Sequence, residues 1–292
     1  MQLKDYIIYI DTDSLFVNLY DFFKAQGISD KFNALSEDEK VEFIRKVASI
    51  VQDHVNKESF EKTQLLAYNS QETNNKVSFK SELICSAGMF LKKKKYMVYC
   101  IFEDGYRPAS PLKVTGLDVI KSDCPSIVKP LIKNIMIKIL TSNDKEELIS
   151  IIKEYKKDIE LSTAEQIASN IAVHDLNKYI DSEFVCKKGT PRHTKGVAAY
   201  KLVMRHLGIE NKADNIESGD KCKVVYLKSN KFNIDTISFI TWPEEFNEVF
   251  QLDFAKMIDK SFLQKLKPMF DILNIDIEND IKDDMLNEWF DF

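Results

Sequence analysis

Apolar residues fall in short alternating or continuous runs up to about residue 110 and take up a helical spacing beyond about residue 125. The opening run Tyr6 to Val17, rich in Tyr, Ile, Leu, Phe and Val, is broken by Asp11-Thr12-Asp13-Ser14. It predicts a hairpin of two short strands around a polar turn. Ser36 and Glu39 have the spacing of a capping box, and Val41, Ile44, Ala48, Val51 and Val55 follow at helical intervals. Together they predict a long amphipathic helix able to cover one face of a sheet. Residues 77–104 return to strand chemistry in VSFKSELICSAGMFLKKKKYMVYCIFED. The break at Ser86-Ala87-Gly88 is expected to turn the chain back into an antiparallel pair.

From Pro125 the segment IVKPLIKNIMIKIL reads as one amphipathic helix. Asn143 with Glu146 is placed to cap a second, built on Leu148, Ile151, Ile152 and Tyr155. Over residues 161–182 two readings stay open: a helix capped by Ser162 and Glu165, or a short extended piece before a helix at VHDLNKYID. A helix from Thr194 to Leu207 should end at Gly208, and strands are expected at Lys223–Leu227 and Ile237–Thr241. A last helix near Phe262 should be interrupted by Pro268. The fold class is α+β: an antiparallel sheet portion with a covering helix over 1–115, a mainly helical region with a small β element over 116–280, and an acidic, aromatic tail at 281–292.

With 292 residues and 44% hydrophobic content the chain can bury a sizeable core in one large domain or two smaller ones. No run approaches the roughly 20 apolar residues of a membrane span, and the start MQLKDYIIYID is charged where a leader would be apolar, so a cytoplasmic location and no membrane partner are expected. Cys85, Cys100, Cys124, Cys186 and Cys222 are scattered and never spaced C-x-x-C, which indicates free thiols rather than a disulfide framework or a zinc site. The net charge of -5 argues weakly against nucleic acid, but it averages over strongly segregated segments.

Asp11 and Asp13 are candidate metal ligands. Two carboxylates one residue apart share a face of an extended chain, and a turn between buried strands holds them rigidly, which suits Mg²⁺. The pattern also fits a solvated hairpin tip, although an acidic tip between apolar strands is costly without a cation. Nucleotidyl transfer wants such a site, since two metal ions activate a 3′ hydroxyl and stabilise the leaving pyrophosphate.

YIDTDSLFV at 9–17 resembles the Y-G-D-T-D-S motif C of family B DNA polymerases, with Ile10 in place of the usual glycine. Further segments are similar to that family in the family's order: LKKKKY at 91–96 to its K-K-x-Y segment, LKVTGLDVIKSDCP at 112–125 to its K-G-x-E-x-V-x-R-x-D-x-x-P segment, and SGDKCKVVYL at 218–227 to its G-D-x-V-x-Y strand. TPRHTKGVAAYKLV, SFITWPEEF and SFLQKLKPM resemble the thumb of the T-even-like phage members, so the likeness covers nearly the whole chain. It implies the carboxyl-terminal part of a DNA-directed DNA polymerase: a palm portion with motif C over 1–115 and a thumb over 116–280. Asp13 matches the motif C metal ligand, Asp11 its partner, and Glu82 a supporting acidic residue. Eight residues before motif C leave no room for motif A or the fingers. A separate amino-terminal polymerase chain is therefore expected to complete the Mg²⁺ site and to bind most of the dNTP. The alternative is a non-catalytic DNA-binding or processivity module derived from such an enzyme.

The resemblance gives Lys94 and Tyr96, with Lys93 and Lys95, the role of holding the primer strand, and extends primer-template contact to Lys113 and Gly116. By itself the lysine run also reads as a solvated face; on a strand, its alternate side chains would point to opposite faces. Cys186 to Gly208 holds six Lys and Arg residues and no Asp or Glu. Arg192, His193, Lys195, Lys201 and Arg205 are therefore candidate contacts to DNA phosphates, the alternative being an interface with the missing chain. The last 22 residues carry eight acidic residues against one lysine and end in MLNEWFDF. Leu286, Trp289, Phe290 and Phe292 read either as anchors folded onto the thumb or, as the resemblance implies, as a peptide that docks on a sliding clamp.

Overall fold

A computed structural model of the chain describes residues 6–12, 14–66, 78–117, 121–142, 144–212 and 214–282. The fold is α+β with antiparallel sheets, in two compact units, Met1–Thr115 and Gly116–Phe292.

In the first unit, β1 (Ile7–Asp11) and β2 (Ser14–Val17) form the expected hairpin, with Asp11 opposite Ser14 and Thr12 at a φ of 52° in the turn. Two short helices follow, α1 (Leu19–Ala25) and α2 (Ser29–Asn33). The side chain of Asn18 accepts from the Asp21 amide to start α1. Helix α3 (Glu37–Leu66) starts at the predicted capping box, where the Glu39 carboxylate accepts from the Ser36 amide at 2.8 Å and Ser36 Oγ accepts from the Glu39 amide at 3.4 Å. The Ser36 hydroxyl, which also donates to this carboxylate at 2.7 Å, and then the Ser36 amide hold the Glu39 carboxyl below its ordinary range. Phe23, Phe32 and Phe43 bring the three helices together, with Phe23 1% exposed.

Strands β3 (Leu83–Lys92), β4 (Lys95–Glu103) and β5 (Leu112–Thr115) form one antiparallel sheet in that order. Helix α3 lies along it. Gln52 and Asn56 accept from the amides of Ser81 and Phe79, and the Arg45 guanidinium sits 5.0 Å above the Phe102 ring. No described side chain of α3 is fully buried, and Ile50 and Val51 face outward.

The expected turn at Ser86-Ala87-Gly88 is absent: β3 runs straight through it. The register is irregular from Ile84 to Ala87, the mark of a bulge, and a Cβ on Gly88 would meet Val98 Cγ1 at 3.1 Å. The chain reverses at Lys93–Lys94, with Lys92 opposite Lys95 and Lys94 at a φ of 61°. Two of the four lysines thus form a turn rather than alternating along a strand.

The second unit opens with α4 (Val128–Thr141) and α5 (Lys145–Glu160), packed through Val128, Ile132, Ile135, Met136, Leu148 and Ile152, all at or below 1% exposure. Asp144, rather than Asn143, caps α5, accepting from the amides of Glu146 and Glu147; Asn143 is outside the described residues. Likewise Thr163 and Gln166, each one residue after the expected pair, form the capping box of α6 (Ala164–Ile167). Both shifts have one cause: the aspartate and threonine are the residues whose extended backbone sets the oxygen over the first turn. The ambiguous stretch thus holds both readings in sequence: the short capped helix α6, then β6 (Ser169–Ala172) and α7 (Leu176–Tyr179).

Helix α8 (Arg192–His206) ends at Gly208, which has a φ of 67°. Strands β7 (Lys221–Tyr226) and β8 (Thr236–Phe239) extend β6 in the order β6-β7-β8. Gly196 lets α8 lie directly on β8: a Cβ there would meet Ser238 N at 2.7 Å and Ile237 C at 3.0 Å. Four short or medium helices finish the unit, α9 (Phe246–Val249), α10 (Phe254–Ile258), α11 (Gln264–Leu273) and α12 (Ile277–Lys282). Pro268 does not interrupt α11. A π-helical turn at Asp259–Leu263 precedes it, and Leu266, Met269 and Phe270 are buried to 0–1% exposure, so packing offsets the missing amide.

Candidate functional site

In the first unit the fold brings two hairpin turns together, one acidic and one basic. On β1 and β2 the rings of Tyr9 and Phe16 point to one face; on β3 and β4 Phe90 and Tyr96 stand opposite each other. The four rings form one cluster, with centroids 5.1–5.5 Å apart between the hairpins, Tyr9 stacked on Phe90 and Phe16 edge-on to Tyr96. Such pairs contribute about 0.5–1.5 kcal/mol each beyond their area. The cluster aligns the turns: Tyr9 Oη accepts from the Lys94 amide at 2.6 Å, and Lys94 Nζ lies 3.7 Å from Asp11 Oδ1. That amide bond also holds the left-handed conformation at Lys94, which a non-glycine residue adopts at a cost.

The side chain of Asp11 is 20% exposed and that of Lys94 63%, so the ion pair is reachable from solvent and contributes little stability alone. Lys93 and Lys95 flank it in the open, and Tyr96 is half-buried in the cluster. Asp13 lies outside the described residues. The donors at this turn are hard carboxylate oxygens, the set a magnesium ion takes, with no thiol or imidazole competing. Among the described residues no three His, Cys, Asp or Glu side chains converge as a metal group, so a cation held here by Asp11 and Asp13 would complete its shell from elsewhere. Glu82 is not brought to it. It precedes the first residue of β3, at the opposite end of that hairpin from Lys93–Lys94, roughly 30 Å away along the strand at a rise of ~3.3 Å per residue, and its carbonyl accepts from Asp104. Lys113, on β5, pairs with Glu103, and that hydrogen bond raises its pKa.

The outer face of the β1–β2 ribbon is apolar and open: Ile8 is 53% exposed, Ile10 63%, Leu15 42% and Val17 37%. Two-stranded ribbons are marginal without a third neighbour, and among the described residues this sheet has none.

In the second unit the basic stretch does not form a single face. Lys201 is 2.5 turns from Arg192 at about 3.6 residues per turn, hence on the opposite side of α8. Lys201 Nζ donates to the Ile216 carbonyl at 3.3 Å. Arg205 is engaged by Glu183 and Glu210 and covers the Phe184 ring. Burial, and then His174, hold the His193 imidazole below its ordinary pKa, so it is neutral at neutral pH. Arg192 and Lys195 remain on an exposed side of the first turn, and Gly116 begins the unit at a φ of 65°. Arg192 Nη1 donates to Tyr226 Oη at 2.8 Å, its guanidinium 5.1 Å from the ring centroid, while Lys256 Nζ lies 4.7 Å from the same centroid. Tyr9 and Tyr226 lie in segments that carry the resemblance, but their contacts, like those of Phe16, Phe90 and Lys256 to these constellations, have no local signal, because they are made with residues distant along the chain. Leu286, Trp289, Phe290 and Phe292 lie outside the described residues.

No protein-family model matches this chain, and no curated protein matches it in sequence. Among the described residues no helix is long and apolar enough to cross a membrane.

Proposed function

We propose that this chain is the carboxyl-terminal part of a DNA-directed DNA polymerase, contributing one acidic turn to a two-metal nucleotidyl-transfer site and holding the primer-template duplex. One observation carries the reading. The motif-like Asp11 turn and the Lys93–Lys94 turn are aligned by shared aromatic packing, with Lys94, 83 residues along the chain, 3.7 Å from Asp11. A carboxylate pair for metal and a cationic tip for a primer phosphate belong together in such an enzyme, because the reacting 3′ hydroxyl sits between metal and primer backbone.

Asp11 and Asp13 would hold Mg²⁺, which would polarise the attacking and departing oxygens. Lys94, with Lys93 and Lys95 beside it, would grip the primer strand, while Tyr9 and Tyr96 fix the turn. Supplying the remaining metal ligands and the dNTP site falls to an amino-terminal polymerase chain, and the open face of Ile8, Ile10, Leu15 and Val17 is a surface such a chain would cover. A sliding clamp is the proposed partner of the tail.

The test is primer extension on a recessed 3′ end, with the amino-terminal chain alone, with this chain, and with Asp13→Ala. Synthesis should need both chains and fall at least a thousandfold with Asp13→Ala, on the order expected when a group that stabilises the transition state is lost. Equal synthesis with wild type and Asp13→Ala would remove the catalytic role and leave a DNA-binding module.

A further inference from the structure

The second unit contains a charge arrangement that its described residues leave uncompensated. Tyr226 ends β7 and is half-buried, and two cations from different elements converge on its ring: Arg192, the first residue of α8, and Lys256 of α10. Among the described residues neither cation has a carboxylate at ion-pairing distance. Of the two acids nearest to Lys256 in sequence, Asp253 accepts the Lys256 backbone amide at 3.0 Å, and Asp259 accepts from Gln264 at 2.9 Å and lies 3.6 Å from Lys260. Like charges gathered without a counter-charge repel, and the ring quadrupole offsets only part of that. The hydrogen bonding is also incomplete. Tyr226 Oη accepts from Arg192 at 2.8 Å, so its own proton remains free to donate.

A guanidinium, an ammonium and a phenol proton gathered at one ring are donors only. They suit a tetrahedral oxyanion that accepts several hydrogen bonds and carries charge. We propose that Arg192, Tyr226 and Lys256 form a phosphate site that takes one backbone phosphodiester of a nucleic-acid duplex. Lys195, exposed one turn along α8 from Arg192, continues the cationic track toward the next phosphate. The proposal rests on the DNA-binding reading for the source of the phosphate, and adds Lys256 and Tyr226 to it.

The experiment uses the full chain and fluorescence anisotropy with a labelled duplex bearing a recessed 3′ end, over a series of salt concentrations. Lys256→Gln should weaken binding about three- to tenfold at low salt and lower the slope of log affinity against log salt by about 1. Tyr226→Phe, which keeps both cations and the ring, should weaken binding less and leave the slope unchanged. Lys145→Gln, the same charge change at the start of α5, should alter neither. Circular dichroism on each variant confirms the fold. An unchanged slope with Lys256→Gln, or an equal loss with Lys145→Gln, overturns the site. Competition with inorganic phosphate separates the sources. Displacement of the duplex only at phosphate concentrations that act through ionic strength supports the phosphodiester. Stoichiometric phosphate binding that Lys256→Gln abolishes, with no change in duplex affinity, overturns it in favour of a small phosphate ligand. Primer extension is read separately, so failed synthesis with an intact slope difference would count against the polymerase reading alone.

Discussion

Replacing Gly196 by alanine sets helix propensity against packing. Alanine in a helix interior is favoured over glycine by about 1 kcal/mol, so on propensity alone Gly196→Ala should stabilise α8. The structure opposes this. The new Cβ would lie 2.7 Å from Ser238 N and 3.0 Å from Ile237 C, both backbone atoms of β8, and would collide with Ser238 Oγ. That hydroxyl donates to the His193 carbonyl at 2.7 Å, so moving it aside forfeits a hydrogen bond contributing about 1 kcal/mol, and parting helix from strand costs about 1–3 kcal/mol more. The clash wins by about 2 kcal/mol. For a unit of this size that is a fall in melting temperature of about 4–8 °C. Urea unfolding followed by circular dichroism measures it, with Ser238→Gly in the same chain as a control that removes the side-chain part of the clash and restores some of the loss. A Gly196→Ala chain as stable as the parent, or more so, would refute the close approach of α8 to β8.

Two further outcomes follow from the titrating groups. His193 has its pKa lowered below 6.5 by burial and by His174, so the unfolded chain takes up a proton there that the folded chain refuses; stability is lost as the pH falls through 6.5 toward the folded value and is unaffected above it. Urea midpoints compared at about pH 7.5 and pH 5.5 should therefore drop more for the parent than for His193→Gln, and an equal drop would assign the acid sensitivity to other groups. Burial, and then its partner Cys100, push the Cys85 thiol up to about 12, and burial pushes Cys222 to about 11. At pH 8 their thiolate fractions are at most about a thousandth, so iodoacetamide should label both at least a hundredfold more slowly in the folded chain than in urea, read by peptide mass; comparable rates would show the thiols to be accessible.

Much of the fold is legible because its signals are local. The Asp11–Ser14 turn between apolar strands, the Ser36–Glu39 box, the amphipathic repeat of α4 and the stop at Gly208 each need only a few neighbouring residues, and each is found where the pattern places it. Where expectation and structure part, a distant contact decides. Ser86-Ala87-Gly88 resembles a turn, but Gly88 is needed because Val98 and Phe90 crowd it from within the hairpin, and the true reversal at Lys93–Lys94 is secured by a hydroxyl 85 residues away on Tyr9. Pro268 sits inside a helix because Leu266, Met269 and Phe270 anchor it in the core.

The same division runs through the candidate site. The chain order alone names Asp11, Asp13 and the four lysines as chemistry-bearing, and it separates a basic stretch from an acidic tail within a chain of net charge -5. It could not tell that Lys201 and Arg205 are committed to Ile216, Glu183 and Glu210, that Glu82 lies at the far end of a hairpin from Asp11, or that Lys256 joins Arg192 over Tyr226. The periodicity of apolar residues indicates the buried face of α4, since that depends on the chain's own repeat, although in α3 Val51 of the predicted face is 42% exposed. Which charges meet depends on how separate elements pack, and only the tertiary structure decides that.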